Sequence, residues 1–152
     1  AAMLAATAPA DGPAGKGGLD TYCSAVRAVV AVCAPLDLRR PLSLALSNED
    51  DPLVVRFLGG SLAEKLDAAR RASPINYIRK ETPPIFLLHG KADKRVDMSQ
   101  SIAMSEALKN AGAIHRLELI EDGKHGMDFA RDEKTFQDIL AFFDEHLKQG
   151  AP

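Results

Sequence analysis

Two side chains with the chemistry of a proton-transfer site stand in separate loops of the sequence. His125 lies in "EDGKHGMDF" (121–129) between two glycines, which let the backbone turn tightly and hold the imidazole out. Asp93 lies in "HGKADKRVD" (89–97), directly after an apolar run. A carboxylate that holds a histidine in one tautomer prepares a general base. The pair is therefore a candidate catalytic site, whereas each residue taken alone fits a helix-capping aspartate or a solvated loop histidine.

Three apolar runs predict the strands that position this pair. The runs "AVRAVVAVCA" (25–34) and "PPIFLLHG" (83–90) are short and almost wholly apolar, which is typical of strands buried on both faces of a parallel sheet. The run "IHRLELIE" (114–121) alternates, which predicts a strand with one wetter side near a sheet edge. Ligands collect beyond the C-terminal ends of such strands, where the loops of Asp93 and His125 begin.

Helical patterns alternate with these strands. Helices are predicted over residues 1–8, 61–72, 98–112 and 132–150, whereas "PLDLRRPLSL" (35–44) and "SNEDDP" (47–52) predict turns and irregular structure. Alternating elements with helical crossovers predict the α/β class, with a mainly parallel sheet of about three strands.

Two helices carry additional signals at their ends and on their apolar faces. In the helix over 98–112, Met104 and Leu108 share one face and Gly112 is a C′ residue. The helix over 132–150 has Asp132 as its cap. Its predicted apolar face comprises Phe136, Ile139, Leu140, Phe143 and Leu147.

The composition excludes some classes of partner. The 152 residues suit one domain, and 46% apolar with 26% charged residues is ordinary for a globular protein. Nineteen Lys and Arg are interspersed with twenty-one Asp and Glu, which does not match the basic surface that binds nucleic acid. No apolar run approaches the roughly 20 residues that span a bilayer. We therefore expect neither nucleic acid nor a membrane as a partner.

Four side chains near these loops have structural interpretations. Cys23 and Cys33 would lie about 30 Å apart in an extended stretch, which predicts free thiols compatible with a cytoplasmic location. Cys33 is further interpreted as a small buried core thiol. His89 is expected to satisfy a hydrogen bond at a strand end, and Asp97 suits a helix cap better than a stand-in acid.

Four motifs in order resemble a known family. The stretch "PPIFLLHGKADKRVDMSQSIAMSEALKNAG", followed by "LELIEDGKHG", resembles the C-terminal part of an α/β-hydrolase. The stretches "VVAVCAPLDL" and "FLGGSLAEKLDAARRASPINYI" resemble its small esterase and lipase branch, which includes acetyl- and feruloyl-esterase-like proteins. The resemblance implies that Asp93 is the catalytic acid and His125 the catalytic base. It also implies that residues 1–152 are the C-terminal part of a single α/β-hydrolase domain.

The sequence departs from that family at the nucleophile. The family places its serine in a Gly-x-Ser-x-Gly elbow, and these 152 residues contain no such motif. Because "AAMLAATA" (1–8) resembles the helix that follows the elbow, the serine is expected upstream of Ala1. The implied function is a carboxylic ester hydrolase acting on a small-molecule ester, without cofactor or metal. A peptidase of the same fold and a non-catalytic binding or regulatory module are the alternatives.

Two consequences follow for the isolated chain. Without the nucleophile it is expected to be inactive. The strand over 25–33 would also leave an apolar, unpaired edge. We therefore expect the N-terminal half of the same enzyme, or self-association, to cover that edge.

Overall fold

A computed structural model describes residues 26–40, 42–43, 51–126 and 132–148. The helix expected over 1–8 and Cys23 lie outside the described residues. The strands are β1 (Val29–Val32), β2 (Ile85–Gly90) and β3 (His115–Ile120). The helices are α1 (Pro52–Leu58), α2 (Leu66–Arg71), α3 (Ser99–Ala111) and α4 (Glu133–Leu147), with a 3₁₀ turn at Pro74–Tyr77. None of the helices in these ranges is long and apolar enough to cross a membrane.

The three strands form one parallel sheet in the order β1, β2, β3. Leu88 of β2 is aligned with Val32 on one side and with Glu118 on the other. All three strands therefore end at the same edge of the sheet. The predicted α/β class with a mainly parallel sheet is confirmed.

Helices cover both faces of the central strand, which explains why every residue of β2 is buried. On one face Met104 and Leu108 of α3 pack in a cluster with Leu87. On the other face Phe142 of α4 packs against Phe86, with ring centroids 5.5 Å apart. Burying each such side chain stabilises the fold by roughly 1.5–3 kcal/mol.

The predicted wetter side of β3 is confirmed. Arg116 stacks its guanidinium 4.5 Å from the centre of the Phe86 ring and pairs with Glu118 and Asp138. The guanidinium of Arg116 stays partly exposed to solvent while it covers the Phe86 ring, which is fully buried. The strand β3 can therefore carry charged side chains without exposing Phe86.

The two long helices begin and end close to the predicted positions. Gly112 closes α3 with φ 70°, and the carboxylate of Asp132 accepts a hydrogen bond from the backbone N–H of Thr135 at 3.2 Å.

The predicted apolar face of α4 is partly wrong. Phe142 is the deeply buried aromatic residue of this helix. Ile139 and Phe143 pack around its cluster. Phe136, Leu140 and Leu147 are 46%, 42% and 41% exposed. Helical spacing identified a broad apolar stripe but not the part of it that faces Phe86.

The segment before β2 also differs from the prediction. Helix α1 begins at Pro52, the last residue of the stretch predicted to be irregular, and continues through residues 53–58, for which no element was predicted. The carboxylate of Asp51 accepts a hydrogen bond from the N–H of Leu53 at 2.9 Å, and Gly59 ends the helix with φ 75°. The helix expected over 61–72 is only Leu66–Arg71. Ser61 and Glu64 bind each other's backbone N–H groups in a separate turn before it.

Candidate active site

The loop after β2, residues 91–97, holds Asp93 and is called the acid loop below. The Oδ1 atom of Asp93 accepts hydrogen bonds from the N–H groups of Arg95 at 2.8 Å and Val96 at 3.0 Å. An aspartate that binds the backbone two and three residues later stabilises its own turn. The side chain of Asp93 is fully buried. Local backbone thus fixes one carboxylate oxygen, and Oδ2 is left to bind other residues.

The loop after β3, residues 121–126, is called the base loop and lies directly against the acid loop. The N–H of Lys91 donates to the carbonyl of Ile120 at 2.8 Å, and the N–H of Ala92 donates to that of Gly123 at 2.9 Å. A Cβ atom on Gly90 would lie 2.1 Å from the Gly123 carbonyl oxygen. Glycine is therefore required at Gly90 for this close approach of the two backbones.

This approach brings His125 onto Asp93. The Nδ1 atom of His125 lies 2.8 Å from Oδ2 of Asp93. The imidazole is about a third exposed, and no described residue binds its Nε2 atom. An ionised carboxylate only accepts, so Nδ1 carries the proton and Nε2 presents a lone pair. The contact predicted from the sequence is present, with the imidazole oriented as a general base requires.

The electrostatics keep Asp93 in the form that such a pair needs. Burial raises the pKa of Asp93, but hydrogen bonds from the Val96 backbone, the His125 imidazole, the Arg95 backbone and the Cys33 thiol outweigh it. The pKa of this carboxyl group therefore lies below its usual value. Asp93 is ionised at neutral pH and can stabilise a protonated imidazole.

A second histidine, His89, lies against the acid loop and is fully buried. Its Nε2 atom is 2.8 Å from the carbonyl oxygen of Val96, and its Nδ1 atom is 2.8 Å from Oγ of Ser101. Because a carbonyl can only accept, the proton is on Nε2 and Ser101 donates to Nδ1. The expected hydrogen bond at the strand end is confirmed. The Nε2 atom of His89 also lies 3.4 Å from Oδ2 of Asp93, a contact that was not predicted from the sequence.

Cys33, at the end of β1, is the third residue at the site. It is 2% exposed, is a free thiol and has a φ of 48°, which is unusual for a residue with a side chain. Burial raises its pKa, and the carboxylate of Asp93 raises it further against hydrogen bonds from the backbones of Gly90 and Gly126. The predicted burial is confirmed, but this thiol also lies beside Asp93 and His125. Its place directly after a strand was the signal that the sequence offered.

The remaining candidates have structural roles. Asp97 accepts a hydrogen bond from the N–H of Ser99 at 2.9 Å in the turn that leads into α3, one residue before the cap position at Met98. The hydroxyl of Ser73 donates to the carbonyl of Ala69. Among the residues that the structure describes, no serine is hydrogen-bonded to His125, and Ser24 and Ser47 lie outside them.

Comparison with known proteins matches the chain to one protein family, and the matching relatives include two esterases. The model of the BD-FAE family matches residues 2–108, well over half of the chain; Asp93 lies within this stretch and His125 beyond it. Esterase LipQ of Mycobacterium tuberculosis is 52% identical over 44 residues, which are 29% of this chain and 10% of that protein. Esterase YpfH of Escherichia coli is 36% identical over 73 residues, which are 45% of this chain and 32% of that protein.

A solved structure described as a truncated form of carbohydrate esterase from gut microbiota also matches. Its TM-score is 0.79 at 26% identity, and the match covers 97% of this chain and 55% of that one. The chain thus spans about half the length of this solved structure and a third or less of the two esterases. From the family match, the parallel sheet and this structural similarity, the chain is a member of the BD-FAE family with the α/β-hydrolase fold.

Proposed function

We propose that this chain supplies the acid and the base of a serine carboxylic ester hydrolase. The observation that carries the proposal is the 2.8 Å hydrogen bond between Nδ1 of His125 and Oδ2 of Asp93, at the carboxyl edge of the sheet. The names of two relatives and of the solved structure, all esterases, support the same reaction class. A small-molecule ester is the proposed substrate.

In the proposed mechanism the two nitrogen atoms of the imidazole have different roles. The Nε2 atom of His125 accepts the serine proton while the serine oxygen attacks the ester carbonyl, and it later returns that proton to the leaving alcohol. Water then attacks the acyl-enzyme with the same proton transfers. Asp93 holds the tautomer through Nδ1 and stabilises the charge that develops on the ring.

The nucleophile is proposed to lie on a segment that precedes Ala1. The 152 residues contain no Gly-x-Ser-x-Gly motif, and one oxyanion donor of this fold is the N–H that follows the nucleophile. Losing one such donor reduces the rate by about 10²–10³. On this proposal residues 1–152 are the C-terminal part of one domain, and they have no esterase turnover by themselves.

The second edge of β1, which no described strand covers, supports the proposal that another polypeptide segment binds there. Val29–Val32 pair with β2 on one side, and no strand among the described residues pairs with the other side. An uncovered strand edge presents unpaired N–H and C=O groups that favour association. We propose that the N-terminal half of the enzyme, or a second copy of the chain, covers it. A well-folded 16.3 kDa monomer in size-exclusion chromatography would contradict this part of the proposal.

The experiment that tests the function compares two histidine variants of the protein expressed from its complete reading frame. His125→Ala should reduce kcat for p-nitrophenyl acetate by at least about 10³, because the general base is lost. His115→Ala is the matched control, since His115 is partly buried on β3 and binds only the carbonyl of Ala113. It should leave kcat within about twofold.

Two results would reject the proposal. Activity of His125→Ala close to wild type would remove the histidine from catalysis. Absence of hydrolysis by wild type, on esters and on peptide anilides alike, would favour a non-catalytic module. Cleavage of the anilides without the esters would identify the peptidase alternative.

A further inference from the structure

The third residue at the catalytic pair changes what this site can bind. One ligand atom each from Cys33, Asp93 and His125 lie within 4.8 Å of one another. A thiolate, a carboxylate and an imidazole are the three protein ligand types of Zn²⁺, and a site with three of them keeps a fourth position open. In the proposed hydrolase mechanism the carboxylate and the imidazole take part in proton transfer, whereas the thiol only donates a hydrogen bond that helps to keep Asp93 ionised.

The positions of the three ligand atoms fit a zinc ion after small shifts of the side chains. Bond lengths of about 2.3 Å to sulfur and about 2.0–2.2 Å to nitrogen and oxygen place the ligand atoms of a tetrahedral site roughly 3.3–3.6 Å apart. Nδ1 of His125 and Oδ2 of Asp93 are 2.8 Å apart. The thiol sulfur lies within 4.8 Å of one ligand atom of each of these residues. His125 can supply the adjustment because it is partly exposed beside Gly126, whose φ is 116°.

The other two ligands are already held in place. Cys33 is buried at the end of β1, with its N–H bound to the carbonyl of Leu88 at 2.9 Å. The Oδ1 atom of Asp93 is fixed by two backbone N–H groups, so Oδ2 can bind a metal without loosening the acid loop. Because these two ligands are already fixed, less conformational entropy is lost when zinc binds, which favours affinity.

We propose that Cys33, Asp93 and His125 form an inhibitory zinc site, in which the metal is a regulator of the reaction and not its cofactor. The inhibition rests on the proposed function, whereas the binding does not. On binding, Cys33 loses its thiol proton to solvent and becomes a thiolate. His125 binds through Nδ1, so the proton of Nδ1 is given to solvent and Nε2 takes one up. The Nε2 atom then carries a hydrogen and cannot accept the serine proton.

The ligand set also predicts which metals act. Thiolate and imidazole select zinc and similar soft ions, while Mg²⁺ and Ca²⁺ prefer oxygen ligands. Zn²⁺ and Cd²⁺ should therefore inhibit, and millimolar Mg²⁺ should not.

The test combines binding with inhibition in the protein expressed from its complete reading frame. Co²⁺ replaces Zn²⁺ as the probe, because a cobalt thiolate bond gives a charge-transfer band that other ligands do not. We expect this band in wild type, its displacement by one equivalent of Zn²⁺, and its loss in Cys33→Ser. The zinc concentration for half-inhibition should rise at least about 100-fold in that variant, since even outer-shell partners of metal ligands are worth 10–100-fold.

Cys23→Ser is the matched control, because it removes the other cysteine and keeps the site. Each variant's own rate without added metal is its reference. Absence of the cobalt band in wild type, or equal zinc inhibition of wild type and Cys33→Ser, would overturn the proposal. A cobalt band that depends on Cys33 in a protein without any esterase activity would instead reject the proposed function and leave the zinc site standing.

Discussion

The acid loop and the base loop hold Asp93 and His125 in opposite ways. The carboxylate of Asp93 is fully buried, and its loop is anchored from outside by Ser43, which donates to the carbonyl of Lys94 at 3.0 Å, and by His89 on Val96. The base loop is held by the N–H of Ala92, which donates to the carbonyl of Gly123 at 2.9 Å, and by the ion pair of Lys91 with Glu121.

His125, in contrast, is partly exposed. Its one described side-chain hydrogen bond is the bond to Asp93. The two side chains are therefore positioned by different means. Asp93 is held by its own loop backbone, whereas His125 is oriented by its hydrogen bond to Asp93 and keeps its Nε2 atom without a partner among the described residues.

The sharpest test of this difference removes the charge of the acid and not its shape. Asp93→Asn should reduce kcat by about 10³–10⁴, because an amide can stabilise the wrong imidazole tautomer. It should also reduce the free energy of unfolding by about 1–2 kcal/mol, since charge-assisted hydrogen bonds are lost in a buried place.

The matched variant at the base is His125→Gln. We expect a comparable loss of kcat with a change in stability below about 0.5 kcal/mol, as is usual for exposed positions. Urea unfolding measures both variants. Equal stability losses at the two positions would contradict the comparison between a fixed acid and a presented base.

A second test breaks the close approach of the two loops. Gly90→Ala should destabilise the protein by about 3–5 kcal/mol, because its Cβ would overlap the carbonyl of Gly123 and the backbones would have to separate. Gly112→Ala is the control for glycine loss at a helix end: nothing lies within 4 Å of its Cβ, but φ is 70°. It should cost only about 1 kcal/mol. Similar costs for the two, by urea unfolding, would show that the approach is not tight.

The smallest expected effect concerns acid stability away from the two loops. Burial raises the pKa of Asp37, but hydrogen bonds from the side chain and backbone of Arg39 and the charge of Arg39 and Arg40 outweigh it, so the pKa lies below its usual value. A carboxyl group with a lowered folded pKa stabilises the fold above its unfolded pKa of about 3.9, and this contribution is lost as the pH falls through the folded pKa.

Asp37→Asn should therefore be less stable than wild type at pH 7, and the difference should shrink below about pH 4. Unfolding by urea at pH 7 and pH 3 measures it. A difference that is constant with pH would show that the bonds to Arg39 contribute no charge-dependent stability.

Much of the fold was predictable because its signals are local. The apolar run of β2, the C′ residue of α3 and the cap of α4 lie within a few residues of the elements they define. The bounds of β2 and α3 were predicted within about two residues, and α4, predicted to residue 150, ends at Leu147. Helix α1 was missed because its seven residues are too short for a periodic pattern, although Asp51 followed by proline was a start signal.

The candidate site was predictable for the same reason only in part. Asp93 and His125 follow strands that end at one edge, so their meeting could be inferred from the order of elements. The contacts of Cys33 and His89 with Asp93 depend on the register between strands and on how a side chain turns across a loop. The spacing of residues along the sequence predicts neither the register nor the orientation of the side chain.

The most direct measurement of the central claim is the tautomer of His125, read from the ¹⁵N shifts of its ring nitrogens by NMR near neutral pH. This measurement needs no substrate and no nucleophile. We expect the Nδ1–H tautomer in wild type and a loss of that preference in Asp93→Asn. An Nε2–H tautomer in wild type, or spectra that Asp93→Asn leaves unchanged, would contradict this expectation.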